Sequence, residues 1–216
     1  MIELETFKKS IEKFDKLESR TNFFASAQKL LKNGFETEGM LLILATWNFA
    51  LFRYETKKFD IDRFSSTLAK LEPHFQKLSS ESFATINLDD YAKSIKFIYT
   101  TLSNIKGIQY TGAPKLMHLK CPNVFVMWDG YIRGEKSRKY YADLKVFKSS
   151  VLPIKKYKTD AQSYLEFLKD MQVVYGKLPL ECKGKTLAKA IDEYNYVNIT
   201  LPIQKKEKQN RKPIQE

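Results

Sequence analysis

The residues of this chain best equipped for chemistry lie close together in the sequence. Asp129 stands in the run Trp128-Asp129-Gly130-Tyr131-Ile132-Arg133, behind the apolar stretch 124–127. A carboxylate so framed can activate a water or stabilise a developing positive charge. The same aspartate at the start of a helix is also an ordinary N-cap, and one residue can fill both roles. Upstream, Lys115 follows Thr111 by one helical turn, on the same face of the predicted helix 111–119. An unprotonated lysine amine is a nucleophile that forms Schiff bases. The alternative for Lys115 is a phosphate contact or a position facing water. Lys120 is a weaker candidate of the same kind.

These residues are positioned by a turn. The stretch Ile105-Lys106-Gly107-Ile108-Gln109-Tyr110-Thr111-Gly112-Ala113 puts Gly107 at a tight bend and small residues at the start of the helix that follows. A helix on each side of such a bend makes an αα-hairpin, which on its own need bind nothing. The N-terminus of its second helix presents outward backbone N–H groups, which favour a phosphate oxygen. Glycine at residue 107 allows the tight turn and a close backbone approach. Gln109 carries a Cβ, so a positive φ there is less comfortable, and its side chain could itself contact phosphate or base.

Residues 105–113 resemble, without a gap, the hairpin of the helix-hairpin-helix DNA glycosylases, which reads roughly L-P-G-V-G-x-K-T-A. The catalytic aspartate of that superfamily lies in a frame V-D-x-H-I-x-R, and Asp129 falls where it is expected. The family's second hairpin glycine is Gln109 here, and the Schiff-base lysine of its bifunctional members is Thr111. The resemblance implies a divergent member of prokaryotic or archaeal type without an iron–sulfur cluster. It implies an all-α fold of two helical lobes with a cleft between them. It implies hydrolysis of the bond between a damaged or modified base and its sugar, the base being flipped from double-stranded DNA, with 8-oxoguanine as the first candidate. Asp129 would be the catalytic residue, with Lys115 the remaining amine. With Thr111 in the lysine position the expected enzyme is monofunctional. DNA contacts are expected from Gly107, Gln109, Tyr110, Thr111 and Gly112, and from Arg133, Lys136, Arg138 and Lys139 in the segment that follows Asp129.

Flipped bases are commonly held between aromatic faces. Trp128, next to Asp129, is the first candidate for such a pocket. Trp47 is another, with Asn48 beside it able to read a base edge. Tryptophans in apolar helical runs are otherwise core residues. His118 reads either as a packed residue or as a base contact.

The bulk properties are compatible with this reading. The formal net charge is +12, which suits a polyanionic partner, although lysine-rich composition alone also produces such a value. Residues 133–158 carry nine Lys or Arg against two acids, a net of +7. Residues 204–216 carry five against two, lack aromatics and read as a basic flexible tail. Two cysteines, Cys121 and Cys182, cannot hold a four-cysteine cluster, and no spaced Cys/His set suggests zinc. No metal or other cofactor is expected. The acidic start Ile2-Glu3-Leu4-Glu5 does not resemble a signal peptide. The longest apolar run, 40–52, contains Asn48 and falls short of the roughly 20 residues of a membrane span. A cytoplasmic monomer is expected, with residues 1–203 as one helical domain.

Apolar residues recur at helical spacing nearly throughout, so helices are predicted over 4–17, 23–32, 37–54, 60–70, 90–104, 111–119, 160–175 and 185–196. A break is expected at Pro73, a helix opening near Asp129, and an extended segment at 197–201. Two other functions compete: a non-catalytic DNA-binding protein on the same scaffold, and a helical partner-binding protein that is basic by composition alone.

Overall fold

The computed structural model describes residues 2–19, 21–136, 155–179, 181–182 and 184–210. Arg138 and Lys139 lie outside these. The fold is all-α. In order, the helices are α1 (Leu4–Leu17), α2 (Thr21–Lys32), α3 (Glu36–Trp47), the single turn α4 (Phe49–Phe52), α5 (Ile61–Gln76), α6 (Ala92–Ser103), α7 (Gln109–Lys120) and α8 (Ala161–Tyr175). A two-residue antiparallel pair, β1 (Glu181–Cys182) and β2 (Lys185–Thr186), then leads into α9 (Leu187–Asn195). A π-helical turn (Tyr196–Thr200) runs straight on into α10 (Leu201–Asn210). Among the described residues no helix is long and apolar enough to cross a membrane.

Local signals account for many of the boundaries. Asp60, Asp160 and Thr186 cap α5, α8 and α9 by accepting from the backbone N–H groups of Arg63, Ser163 and Lys189. Gly34, with φ at +85°, follows the end of α2. Several boundaries differ from the pattern in the sequence. The predicted helix 37–54 is broken at Asn48, whose backbone leaves helical values because its side chain is claimed elsewhere. Helix α5 continues through Pro73 to Gln76, since Leu71 and Phe75 on either side are buried and hold the last turn in place. Residues 197–201 are not extended but lie in the π-turn and the start of α10. Residues 204–210, expected as part of a flexible tail, are helical, and Ile203 just before them is fully buried.

The two ends of the chain pack together. Phe7 of α1 stacks on Tyr194 at 5.3 Å, and Phe14 meets Tyr196 edge-on at 5.5 Å. Lys185 bridges Asp15 at 2.5 Å, and Asn198 donates to Ser10 at 3.0 Å. The middle of the chain packs around the pair α6 and α7, joined by the hairpin turn at 104–108. Lys120 at the far end of α7 bridges Glu36 and Glu72, each at 2.7 Å, and so ties α7 to α3 and α5.

The hairpin turn is held from inside. Asn48 Nδ2 donates to the carbonyls of Gly107 (2.8 Å) and Ile108 (3.1 Å), and its Oδ1 accepts from the Thr111 hydroxyl at 3.1 Å. Gly112 lets α7 approach this closely, because a Cβ there would stand 2.8 Å from Asn48 Nδ2 and 3.3 Å from Leu44. Gly107 has φ at +84° and lies against Phe52 and Glu55. Gln109 has φ at +51°, the one described non-glycine residue with positive φ. Both positions that are glycine in the hairpin pattern therefore adopt left-handed backbone, one of them with a side chain.

Gly107→Ala should cost about 1–3 kcal/mol in urea unfolding, since it adds a strained φ to contacts of 3.1 Å with Glu55 and 3.2 Å with Phe52. Gly34→Ala has the same strain but nothing within 4 Å of the new Cβ, and should cost less. Equal losses would mean that the turn is not pressed against the segment after α4.

Candidate functional site

Segment 124–128 is buried, and it delivers Asp129 to the edge of the core. Trp128 is 1% exposed and donates from Nε1 to the carbonyl of Tyr110 at 2.8 Å. Its ring packs against Tyr164 (5.0 Å), Phe167 (5.3 Å) and Tyr99 (6.0 Å). Trp128 thus pins the residue before Asp129 to the second helix of the hairpin. Residues 130–136 form hydrogen-bonded turns in place of the expected helix, with Arg133 N–H bonded to the carbonyl of Asp129 and Gly134 at φ +82°. The Asp129 carboxylate is fixed by three donors. Oδ1 accepts from the N–H groups of Tyr131 and Ile132, both at 2.8 Å, and Oδ2 accepts from the Thr200 hydroxyl at 2.9 Å. Thr200 closes the π-helical turn, a local irregularity that often re-aims side chains at sites.

Asp129 opens onto a cleft of about 270 Å³. Helix α7 contributes Lys115, and α3 contributes Trp47. From the ends of the chain come Phe14 and Glu18, Asp192 of α9, Tyr196 of the π-turn and Gln204 of α10. Four residues singled out in the sequence, Asp129, Lys115, Trp128 and Trp47, therefore line one cavity. Lys115 Nζ donates to the carbonyl of Trp47, one of the carbonyls that the end of α3 leaves without a helical partner. It thus acts as a C-terminal cap as well as lining the cleft.

The wall behind Trp47 is an aromatic cage around a buried cation. Trp47 stacks on Phe24 at 5.4 Å, and Phe24 stacks on His118 at 5.3 Å. The Lys189 ammonium stands 4.4 Å from the centre of the Trp47 ring and 5.3 Å from those of Phe14 and Phe24. It also pairs with Asp192 at 3.2 Å and Glu193 at 3.6 Å. Glu193 is fully buried and takes a second cation, Lys185, at 2.7 Å. Burial raises the carboxyl pKa of both Asp192 and Glu193, against the lowering effect of Lys189.

The other residues singled out in the sequence are placed as follows. Asn48 is buried, and both its amide hydrogens are used on the hairpin carbonyls. His118 is fully buried and donates from Nδ1 to the Phe125 carbonyl at 2.6 Å, which leaves Nε2 as the bare nitrogen of a neutral ring. Gly107 and Gly112 are buried, while Gln109, Tyr110 and Thr111 are half-buried. Arg133 is 3% exposed. Its guanidinium donates to the Tyr157 carbonyl at 3.0 Å, pairs with Glu135 and lies 4.7 Å over the Tyr110 ring. That charge is spent inside the protein rather than offered to a phosphate. Lys136 is exposed and lies 5.2 Å over Tyr131. The cysteines are free and buried, and burial pushes the Cys121 thiol up to about 12. Among the described residues no group of three or more His, Cys, Asp or Glu is arranged to hold a metal ion.

Sequence reasoning passed over Asp192, Lys189, Glu18 and Thr200. The Lys/Asp/Glu spacing of helix 187–195 was visible, but it reads equally well as a solvated face. No family model matches the chain, and no curated protein or solved structure matches it either.

Burial, and secondly the Lys189 charge, depresses the His118 pKa from 6.5 to about 3, against the opposing effect of the Phe125 hydrogen bond. Both folded and unfolded chains hold this ring neutral above 6.5. Between 6.5 and about 3 the unfolded chain takes up a proton that the folded chain refuses, so stability falls as pH falls. The slope from this residue approaches about 1.4 kcal/mol per pH unit. Urea midpoints at about pH 7 and pH 5 should converge in His118→Gln relative to the parent. A parallel loss in both proteins would put the acid sensitivity elsewhere.

Proposed function

We propose that this protein is a DNA glycosylase that hydrolyses the bond between a modified base and its deoxyribose in double-stranded DNA. The observation that carries this reading is the junction of hairpin and carboxylate. A turn with left-handed backbone at both Gly107 and Gln109 is tied through Trp128 Nε1 and the Tyr110 carbonyl to Asp129, at the mouth of a cleft. The sequence resemblance concerns those same residues. In this reading the helices at the two chain ends and those around the hairpin are the two lobes, and the cleft between them takes the flipped base. Its volume is near the low end for ligand pockets, suited to one base rather than an oligonucleotide.

The electrostatics favour the same chemistry. The chain as a whole is strongly basic, at +12, which draws it to phosphates. The cleft itself is lined by Glu18, Asp129 and Asp192 against Lys115. Loss of a base leaves a sugar with cationic character, which an oriented carboxylate stabilises. Asp129 would stand beside that sugar and take the proton of the attacking water. Thr111 offers no amine, and its hydroxyl is bonded to Asn48. Lys115 donates to the Trp47 carbonyl. The reaction is accordingly hydrolysis alone, leaving an abasic strand intact.

The test is a panel of duplex oligonucleotides, each with one modified base, treated with hot alkali after incubation. The parent protein should release one or more of these bases. Asp129→Asn should reduce release by at least about 100-fold while keeping duplex affinity and its salt dependence. Borohydride should trap little covalent complex, whereas strong trapping lost in Lys115→Ala would make the enzyme a glycosylase with strand-cleaving activity. Duplex binding without release of any base, or full release by Asp129→Asn, would favour the non-catalytic DNA-binding protein. The three donors on Asp129 would equally suit that reading, with the residue as a turn cap. Binding that ignores salt would exclude both.

A further inference from the structure

We infer that Asp192 is a second catalytic residue of this cleft, the general acid that protonates the departing base. The inference rests on the glycosylase reading and deepens it. A neutral base is a poor leaving group, because the electron pair of the broken C1′–N bond must settle on it. A proton delivered to the base as that bond breaks removes this penalty. Lys115 is bonded to a helix carbonyl. Asp129 is held by two backbone N–H groups and a hydroxyl, an arrangement suited to an acceptor beside the sugar. Asp192 lines the same cavity from α9, so an occupant would lie in reach of both carboxyls.

The two carboxyls sit in unlike surroundings, the condition that divides acid from base in a shared site. Asp192 is a largely buried side chain, and Oδ2 accepts from Lys189 at 3.2 Å. That ammonium is divided among several partners, since it also faces Glu193 and the rings of Trp47, Phe14 and Phe24. The groups facing Asp192 are Lys189 and Glu193 on its own helix with Tyr196 one turn further on, Asp129 after α7, Lys115 on α7, Tyr164 on α8, and Glu18 across the cleft. Burial dominates, and with the Asp129 charge it lifts the Asp192 pKa against Lys189 and Lys115. A protonated fraction therefore persists to higher pH than for an ordinary aspartate.

The steps balance. The C1′–N bond breaks as the Asp192 carboxyl passes its proton to the base. Water adds its oxygen to C1′ and gives a proton to Asp129. That proton returns to Asp192 through solvent, so the net change is addition of one water across the bond.

The experiment compares single-turnover base release by the parent and by Asp192→Asn between about pH 5 and pH 9. One set of duplexes carries neutral modified bases: 8-oxoguanine, uracil and hypoxanthine. Another carries N7-methylguanine, already cationic and able to depart without a proton. The parent rate on a neutral base should fall on the alkaline side. Asp192→Asn should lose about 100-fold on that base, lose the alkaline limb, and lose less than about 5-fold on N7-methylguanine. Equal losses on both classes would reduce Asp192 to a structural partner of Lys189. A parent profile with no alkaline limb would overturn the inference without any variant, as would a parent that releases N7-methylguanine alone. A parent that releases nothing would defeat the glycosylase reading itself, and this inference with it.

Discussion

The fold turns on one buried amide. Asn48 interrupts what would otherwise be a single long helix and gives both its N–H groups to the carbonyls of the hairpin turn, while its oxygen accepts from Thr111. Buried carbonyls in a tight turn are expensive unless paired. The Ile108 carbonyl also accepts from the Gly112 N–H at 2.9 Å, whereas the Gly107 carbonyl takes its hydrogen bond from Asn48. The pairing demands that α7 come very close to α3, which only glycine at 112 permits. It also demands that α4 begin immediately after Asn48, which brings Phe52 and Glu55 against Gly107. The turn is thus held from within by one side chain.

The position of Asp129 is inherited from this latch. Trp128 bonds to the carbonyl of Tyr110, at the start of the helix that Asn48 anchors. The Trp128 ring then fills the space between α6 and α8, so that the residue after it emerges at a defined edge. Thr200, from the end of the chain, completes the grip on the carboxylate. An acceptor held by three donors loses little orientational freedom when a ligand arrives, which is the kind of preorganisation that electrostatic catalysis uses.

Around α9 the protein keeps charges it could have dispensed with. Lys189, Glu193 and Asp192 are withdrawn from water together and are compensated by one another, by Lys185 and by three aromatic rings. Apolar side chains of similar size often serve stability as well as a buried ion pair does. Placed at the back of a cleft, such a network costs desolvation energy but sets the local potential and the protonation of a neighbouring carboxyl. The same cation helps keep His118 neutral.

The sequence by itself determined the helical class, most helix positions, the hairpin with its turn at Gly107, and the nearness of Trp128 and Asp129 to one another. These depend on periodicity, capping residues and turn chemistry, which act over a few residues. It also picked Lys115 and Trp47, although the roles they take, as a cap on α3 and as a wall of the cation cage, were not readable there. Only the tertiary structure decided the break at Asn48, the burial of Arg133 and the π-helical turn at 196–200. It alone brought Asp192 and Thr200 to Asp129. The reason is the same in each case. A polar side chain is read from sequence as solvated unless something shows its partner, and these partners lie far along the chain. Asn48 finds its carbonyls at residues 107 and 108, and Thr200 finds its carboxylate at residue 129.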